Sequence, residues 1–310
     1  MKKISIVVPC YNEEKALVFF YEETEKAISQ MQDCAFEYVF VDDGSKDKTL
    51  KVLKEFAEKD EKVRYLSFSR NFGKESAIYA GLKNATGDFV VLMDADLQDP
   101  PALLPELYQA VKDGEYDCAA LRRVTRKGEP PIRSFFARRF YKLMNKISDV
   151  ELVDGARDYR MMSRRFVSAV LSLGEKNRFS KGIFGWVGFK TKWFEYENVE
   201  RVAGETKWSF FKLFKYSLQG IVAFSSALLQ IATVFGLLLC GLSFFGLIAL
   251  TVLHFALSAM PVWSFLLCAI VMGVGICIFF TGVLGLYVDK IHTETRNRPI
   301  YIEQDGNITK

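Results

Sequence analysis

The chain has 310 residues, half of them hydrophobic and a quarter charged, with a formal net charge of +4; that length holds one large domain or two ordinary ones. So small a basic surplus, without interleaved aromatic and basic residues, argues against nucleic acid as a partner. Six cysteines with no CxxC pair argue against a disulfide framework or a zinc site, and with only two histidines any metal must be held by oxygen ligands.

The first 120 residues alternate strand and helix signals. The apolar run 4–9 is too short for a secretory leader and reads as a buried strand, which leaves the N-terminus in the cytoplasm. A helix is expected over 13–31, a strand over 36–41, a helix over 47–59 and a strand over 63–67. Residues 76–85, 88–93, 101–112 and 117–121 continue the series as helix, strand, helix and strand. Repeated units of this kind predict an α/β fold, a mostly parallel sheet covered on both faces with ligands at the carboxyl ends of its strands. The clusters Tyr11-Asn12-Glu13, Asp42-Asp43 and Asp94-Ala95-Asp96 all fall at such ends, so three acidic sites share one rim. No GxGxxG or Walker sequence occurs, which leaves the common dinucleotide and P-loop folds without support.

Residues 133–147 and 208–219 set apolar against basic side chains at helical spacing, as in helices lying at a membrane surface or on the face of a globular domain. From 216 to 288 there is no Asp, Glu, Lys or Arg. Within that stretch, 227–253 and 262–288 are each long enough to cross a ~30 Å hydrocarbon core. Lys207, Lys212 and Lys215 precede the first span, Lys290, Arg296 and Arg298 follow the second, and the link between them has no Lys or Arg. The positive-inside rule therefore predicts a hairpin with both ends in the cytoplasm. Glycines in both spans suit close helix packing, within one chain or in a dimer or tetramer. The expected organisation is a catalytic domain over 1–206, a juxtamembrane amphipathic helix over 207–225, two transmembrane helices over 226–289 and a cytoplasmic tail over 290–310.

Asp94-Ala95-Asp96 ends an apolar strand. Two carboxylates one residue apart can share a hard cation, and Mg²⁺ or Mn²⁺ prefers such oxygens together with substrate phosphates. A cation there would neutralise a departing diphosphate. Taken alone, an Asp-x-Asp is as readily a solvated turn.

Several motifs in order remove that ambiguity. Val8-Pro9-Cys10-Tyr11-Asn12-Glu13-Glu14, Val41-Asp42-Asp43-Gly44-Ser45, Ser69-Arg70-Asn71-Phe72-Gly73-Lys74 and Met93-Asp94-Ala95-Asp96-Leu97-Gln98-Asp99 together resemble glycosyltransferase family 2. Within it they resemble the polyprenyl-phosphate branch, which includes dolichol-phosphate mannose synthases and bactoprenol glucosyltransferases. The resemblance continues through Asp158-Tyr159-Arg160-Met161-Met162 to the two predicted spans and covers nearly the whole chain.

It implies a GT-A, Rossmann-like catalytic domain. Pro9, Tyr11, Glu13 and Asp42 or Asp43 would line the nucleotide base and ribose, where an aspartate can accept a uracil imide hydrogen. Asp94, Asp96 and Gln98 would surround Mg²⁺ or Mn²⁺ and the diphosphate, with Arg70 and Lys74 as secondary donor contacts. Asp158 falls where the family has its proposed catalytic base, and Asp96 is the other residue assigned to catalysis. A phosphomonoester acceptor, with a second pKa near ~6, is already ionised at neutral pH, so Asp158 is expected to orient the acceptor or to place charge as much as to remove a proton. Arg157 stands where a small residue is expected. Arg122, Arg133, Arg201 and Lys207 are the expected acceptor-phosphate contacts, set against the alternative of a basic surface drawn to anionic lipid. The implied reaction is a single inverting transfer from a nucleotide-sugar to undecaprenyl phosphate at the cytoplasmic membrane face. UDP-glucose is the first-choice donor, ahead of UDP-N-acetylglucosamine or another amino sugar, and then GDP-mannose. A processive polysaccharide synthase is disfavoured by the absence of Gln-x-x-Arg-Trp, and a non-catalytic nucleotide-sugar sensor by the presence together of Asp94, Asp96 and Asp158.

Overall fold

The computed structural model describes residues 1–124, 153–176, 178–196, 238, 245 and 262–308. In chain order the elements are β1 (Lys2–Cys10), α1 (Ala16–Ile28), β2 (Cys34–Asp42), α2 (Thr49–Lys59), β3 (Val63–Phe68), α3 (Lys74–Asn84) and β4 (Phe89–Leu92). A 3-10 turn, Pro101–Leu103, leads into α4 (Leu104–Val111). There follow β5 (Cys118–Arg123), β6 (Ala156–Ser163), α5 (Arg164–Ser172), α6 (Ser180–Trp186), β7 (Thr191–Tyr196), α7 (Val262–Thr295) and β8 (Glu303–Gly306).

Among the described residues the eight strands form one sheet in the order β7-β5-β6-β4-β1-β2-β3-β8. β1 is flanked by β2 and β4, both parallel to it, and is buried without interruption from Ile4 to Val8. That explains its continuous apolar sequence, since helices cover both faces of a parallel sheet and neither can be polar. Ile4, Ile6 and Val8 pack on one face with Phe20 of α1, Leu53 of α2 and Leu104 of α4. Val7 packs on the other face with Ile78 of α3 and Phe166 of α5. A Cβ at Gly81 would collide with Val7, so glycine there is what lets α3 lie close on β1.

The block β3-β2-β1-β4 is parallel, as the alternation of elements predicts. The chain switches direction across the sheet between β1 and β4, and a crevice at the carboxyl ends is expected at such a point. Beyond β4 the sheet departs from expectation. β6 runs antiparallel to both β4 and β5, and β8 runs antiparallel to β3. An antiparallel strand presents its beginning on the rim where its neighbours end, and this brings Asp158 to the acidic rim.

Both predicted interfacial helices, 133–147 and 208–219, lie outside the described residues, as does the first predicted span apart from Leu238 and Phe245. α7 runs for 34 residues over the second predicted span and beyond it. Among the described residues no helix is long and apolar enough to cross a membrane. The last residues, expected only as a tail, instead supply the edge strand β8.

Candidate active site

The rim begins where β1 ends. Asn12 takes a positive φ of 55°, a conformation that asparagine tolerates better than most residues. Its backbone N–H donates to Ser45 Oγ at 2.9 Å, and its side-chain oxygen accepts from the Lys46 N–H at 2.8 Å. Glu13 N–H donates to Thr49 Oγ1 at 2.8 Å. The loops after β1 and β2 are thus one bonded unit, and Pro9, Tyr11 and Glu13 lie half-buried on it.

Asp42 and Asp43 are both buried and both committed to protein partners. Asp42 accepts from the Ser45 N–H at 3.0 Å and the Ser67 hydroxyl at 2.6 Å. Asp43 accepts from the Phe72 N–H at 2.6 Å and the Gly73 N–H at 3.0 Å, so it anchors the loop that leads into α3. Burial pushes the Asp43 carboxyl up to about 6, against the pull of those two N–H groups.

The centre of the rim is an ion triad. β4 pairs antiparallel with β6, Leu92 opposite Arg160; two residues further along that register, Asp94 stands across from Asp158. Lys74, the first residue of α3, reaches between them. Its Nζ lies 2.7 Å and 2.9 Å from the two Asp94 oxygens and 2.5 Å from Asp158 Oδ2. Partial desolvation disfavours the Lys74 cation, but Asp158 and Asp94 outweigh it and raise the pKa above the ordinary lysine value. Burial likewise opposes the Asp158 anion, yet Lys74, Lys181 and Arg160 hold its pKa far below the usual carboxylate range. Arg160 is buried; it stacks over the Phe184 ring at 4.0 Å and donates to the backbone oxygens of Arg157, at 2.8 Å, and of Asp158, at 3.3 Å. Lys181 donates to the Ala156 carbonyl at 2.9 Å.

A second cluster fixes the loop after β4. Arg157 Nε donates to Asp99 at 2.9 Å and 3.2 Å, and its Nη2 donates to Gln98 Oε1 at 3.3 Å. The Tyr196 hydroxyl also donates to Asp99. Burial pushes the Asp99 carboxyl up despite these partners. Leu97, between Asp96 and Gln98, has φ 55°, a left-handed conformation that costs a branched side chain about 1–2 kcal/mol. Arg157, where sequence similarity calls for a small residue, is therefore the tie that joins the start of β6 to this strained turn.

Arg122, the last residue but one of β5, lies 3.8 Å from Glu195, with a buried Nε that has no partner among the described residues. Arg133, Arg201 and Lys207 lie outside the described residues. The structure thus brings Asp94 and Asp158 together, with Asp96 and Gln98 following Asp94 in sequence, and gives Lys74 a central position. Sequence motifs ranked Lys74 low and passed over Lys181, Asp99 and Tyr196. The one available signal was Gly73, whose φ of 99° starts α3 and sets the next residue on the rim.

The donor set fits a divalent cation. Asp94, Asp96 and the amide oxygen of Gln98 are oxygen ligands, and Asp94 already holds a cation, the Lys74 ammonium. Among the described residues no group of three or more His, Cys, Asp or Glu could hold a metal. Mg²⁺ and Mn²⁺ sites ordinarily rest on one or two carboxylates with substrate phosphates rather than on an all-protein cage.

The fold is that of a GT-A-like glycosyltransferase. The mannosyltransferase PcManGT from Pyrobaculum calidifontis, solved in complex with GDP-Man and Mn²⁺, superposes with a TM-score of 0.50 at 19% identity, over 71% of this chain and 62% of that one. Residues 5–171 match the family described as Glycosyl transferase family 2. Over 301 residues the chain is 39% identical to the prophage bactoprenol glucosyl transferase homolog of Escherichia coli (strain K12), covering 97% of this chain and 98% of that protein. Over 301 residues it is 40% identical to the SfII prophage-derived bactoprenol glucosyl transferase of Shigella flexneri, covering 97% of each. The chain belongs to glycosyltransferase family 2 and is a transferase enzyme.

Proposed function

We propose that the protein transfers glucose from UDP-glucose to undecaprenyl phosphate in a single inverting step, giving a lipid-phosphate-linked sugar at the cytoplasmic membrane face. The observation that carries this is the meeting of Asp94, Lys74 and Asp158 at the ends of two sheet strands and a helix start. The names of the two bactoprenol glucosyl transferases, similar over nearly their whole length, support the lipid acceptor and the hexose.

In this proposal Pro9, Tyr11 and Glu13 line the nucleotide, while Asp42 and Asp43 hold the loops around it in register. Asp94, Asp96 and Gln98 would hold Mg²⁺ or Mn²⁺, which supplies charge neutralisation for the departing diphosphate. The lipid phosphate arrives ionised, its second pKa being near ~6, and its oxygen attacks the anomeric carbon from the face opposite the nucleotide. Asp158, held ionised by its pairing with Lys74, forms with it a fixed ion pair beside the anomeric centre that orients the acceptor. Arg122, at the end of β5, takes the acceptor phosphate together with Arg133, Arg201 and Lys207, the last three on sequence grounds alone. Residues 1–206 form the catalytic domain, 207–225 a surface helix, 226–289 a membrane hairpin and 290–310 a return to the catalytic side. The pairing of β8 with β3 supports that return, because it joins chain from before and after the apolar region in one sheet.

The test is a donor panel. Full-length protein with undecaprenyl phosphate and Mg²⁺ or Mn²⁺ is given labelled UDP-glucose, UDP-N-acetylglucosamine or GDP-mannose. Labelled lipid from UDP-glucose is expected. Labelled lipid from another donor alone reassigns the sugar, and none from any donor removes the lipid-phosphate acceptor.

A further inference from the structure

Lys74 stands in an unfavourable place for a cation, since the first turn of a helix carries the positive end of its dipole. What holds it there is the pair of carboxylates it bridges, Asp94 and Asp158. Facing each other without a cation, the two would repel. The ammonium spans both Asp94 oxygens at 2.7 Å and 2.9 Å. A divalent metal binds such an oxygen at about 2.0–2.2 Å with ligands ordered around it, so metal and ammonium cannot share the same Asp94 lone pairs. Lys74 has freedom to yield. Its side chain is 40% exposed, its stem is flexible, and Asp158 stays available to it.

We propose that Lys74 is a built-in counter-cation, which neutralises Asp94 and Asp158 before the donor arrives and competes with the divalent metal for Asp94. The proposal rests on the donor-site assignment above and adds an order of events. Metal alone has to displace Lys74, whereas metal entering with a diphosphate gains the phosphate oxygens as further ligands. The enzyme therefore takes its cation with its donor, and Lys74 withdraws to Asp158 as the site fills.

The experiment is Mn²⁺ binding to full-length protein, followed by the spin-resonance signal of free Mn²⁺, with and without UDP. Lys74→Met and Lys74→Gln are expected to bind Mn²⁺ about fivefold tighter than wild type without UDP, the equivalent of one partly exposed ion pair. Lys74→Arg is expected to stay near wild type. Both neutral variants should melt at lower temperature without Mn²⁺ and recover on its addition. Equal or weaker Mn²⁺ binding by both neutral variants overturns the counter-cation while leaving the donor site intact. Variants that remain unfolded with Mn²⁺ present overturn it too, because the metal must substitute for the lost ammonium. A wild type that binds no Mn²⁺ even with UDP removes the donor-site assignment, and the counter-cation with it.

Discussion

Asp158 carries a salt bridge to Lys74 and a pKa held far below the carboxylate range, whereas an efficient general base has a pKa near the working pH. Asp158→Asn is expected to lower kcat by about ten- to a hundredfold, at or below the low end of the ~10²–10⁴ that a general base supplies. The acid limb of the pH–rate profile should stay in place, because it belongs to the lipid phosphate near ~6. A loss beyond about a thousandfold, with the limb displaced, restores the proton-removing role. Asp43 behaves oppositely. Its folded pKa of about 6 lies above the ordinary ~3.9, so the native state binds the proton more tightly. Its contribution to stability is fully present below pH ~4 and is lost as pH rises through about 6. Asp43→Asn keeps an oxygen for the Phe72 and Gly73 N–H groups and removes the ionisation. In urea titrations the variant should gain on wild type by about 2–3 kcal/mol between pH 4 and pH 8; a constant difference across that range would contradict the shift. Asp94 and Asp96 were legible as rim candidates because carboxylates at the ends of apolar runs mark a rim, and Asp158 only through the family motif that carries it. Lys74 was not, since its role depends on two strand ends converging from 64 residues apart in sequence, Asp94 to Asp158.

The β1–β4 order was legible from apolar runs separated by helical periods, because strands buried on both faces leave a continuous signal. β6 and β8 gave none. β6 mixes Arg157, Asp158 and Arg160 with Met161 and Met162, and β8 reads Glu303-Gln304-Asp305-Gly306, polar throughout as an edge strand can be. What braces the parallel block at the end opposite the site is Glu37 on β2. It accepts from Ser5 of β1 at 2.6 Å and from the Thr86 N–H before β4 at 2.7 Å, and it pairs with Lys3 at 2.8 Å and with Arg64 of β3 at 3.2 Å. Burial alone would raise its pKa, but Lys3, Ser5 and Thr86 prevail and hold it at about 2. A depressed carboxyl contributes stability above its unfolded value, near ~4.3, and loses it as pH falls through about 2. Glu37→Gln removes the anion from Lys3 and Arg64 and is expected to cost about 2–4 kcal/mol at pH 7. By guanidinium denaturation the gap between variant and wild type should narrow from pH 5 toward pH 2. A gap that holds constant to pH 2 would assign the loss to packing instead.

At the scale of the whole chain, the sheet limits how the chain can pass through a membrane. β3 lies within the stretch that matches glycosyltransferase family 2 and β8 follows the apolar region, yet the two are hydrogen-bonded neighbours, with Asn307 Oδ1 accepting from the Tyr65 N–H at 2.7 Å and Tyr301 stacked on Phe68 at 4.8 Å. Residues before and after the apolar region must therefore lie on one side of any bilayer, which permits an even number of crossings and forbids one. α7, whose 34 residues extend about 50 Å at ~1.5 Å per residue, outlasts the uncharged stretch. At its carboxyl end Asp289 and Lys290 close that stretch and Glu294 accepts from the Lys176 N–H at 2.8 Å. The chain then turns at Asn297, φ 47°, before it reaches β3. The same segment that leaves the apolar region is thus bonded at two places to chain that precedes that region. With two crossings, reporters fused to either terminus should be active on the cytoplasmic side, and a cysteine introduced at Ala259, between the two apolar stretches, should be labelled only from the opposite face. With no crossing, Ala259→Cys is labelled from the same side as the termini. Termini on opposite faces would require the β3–β8 pairing to be broken, and would overturn the hairpin and the tail strand together.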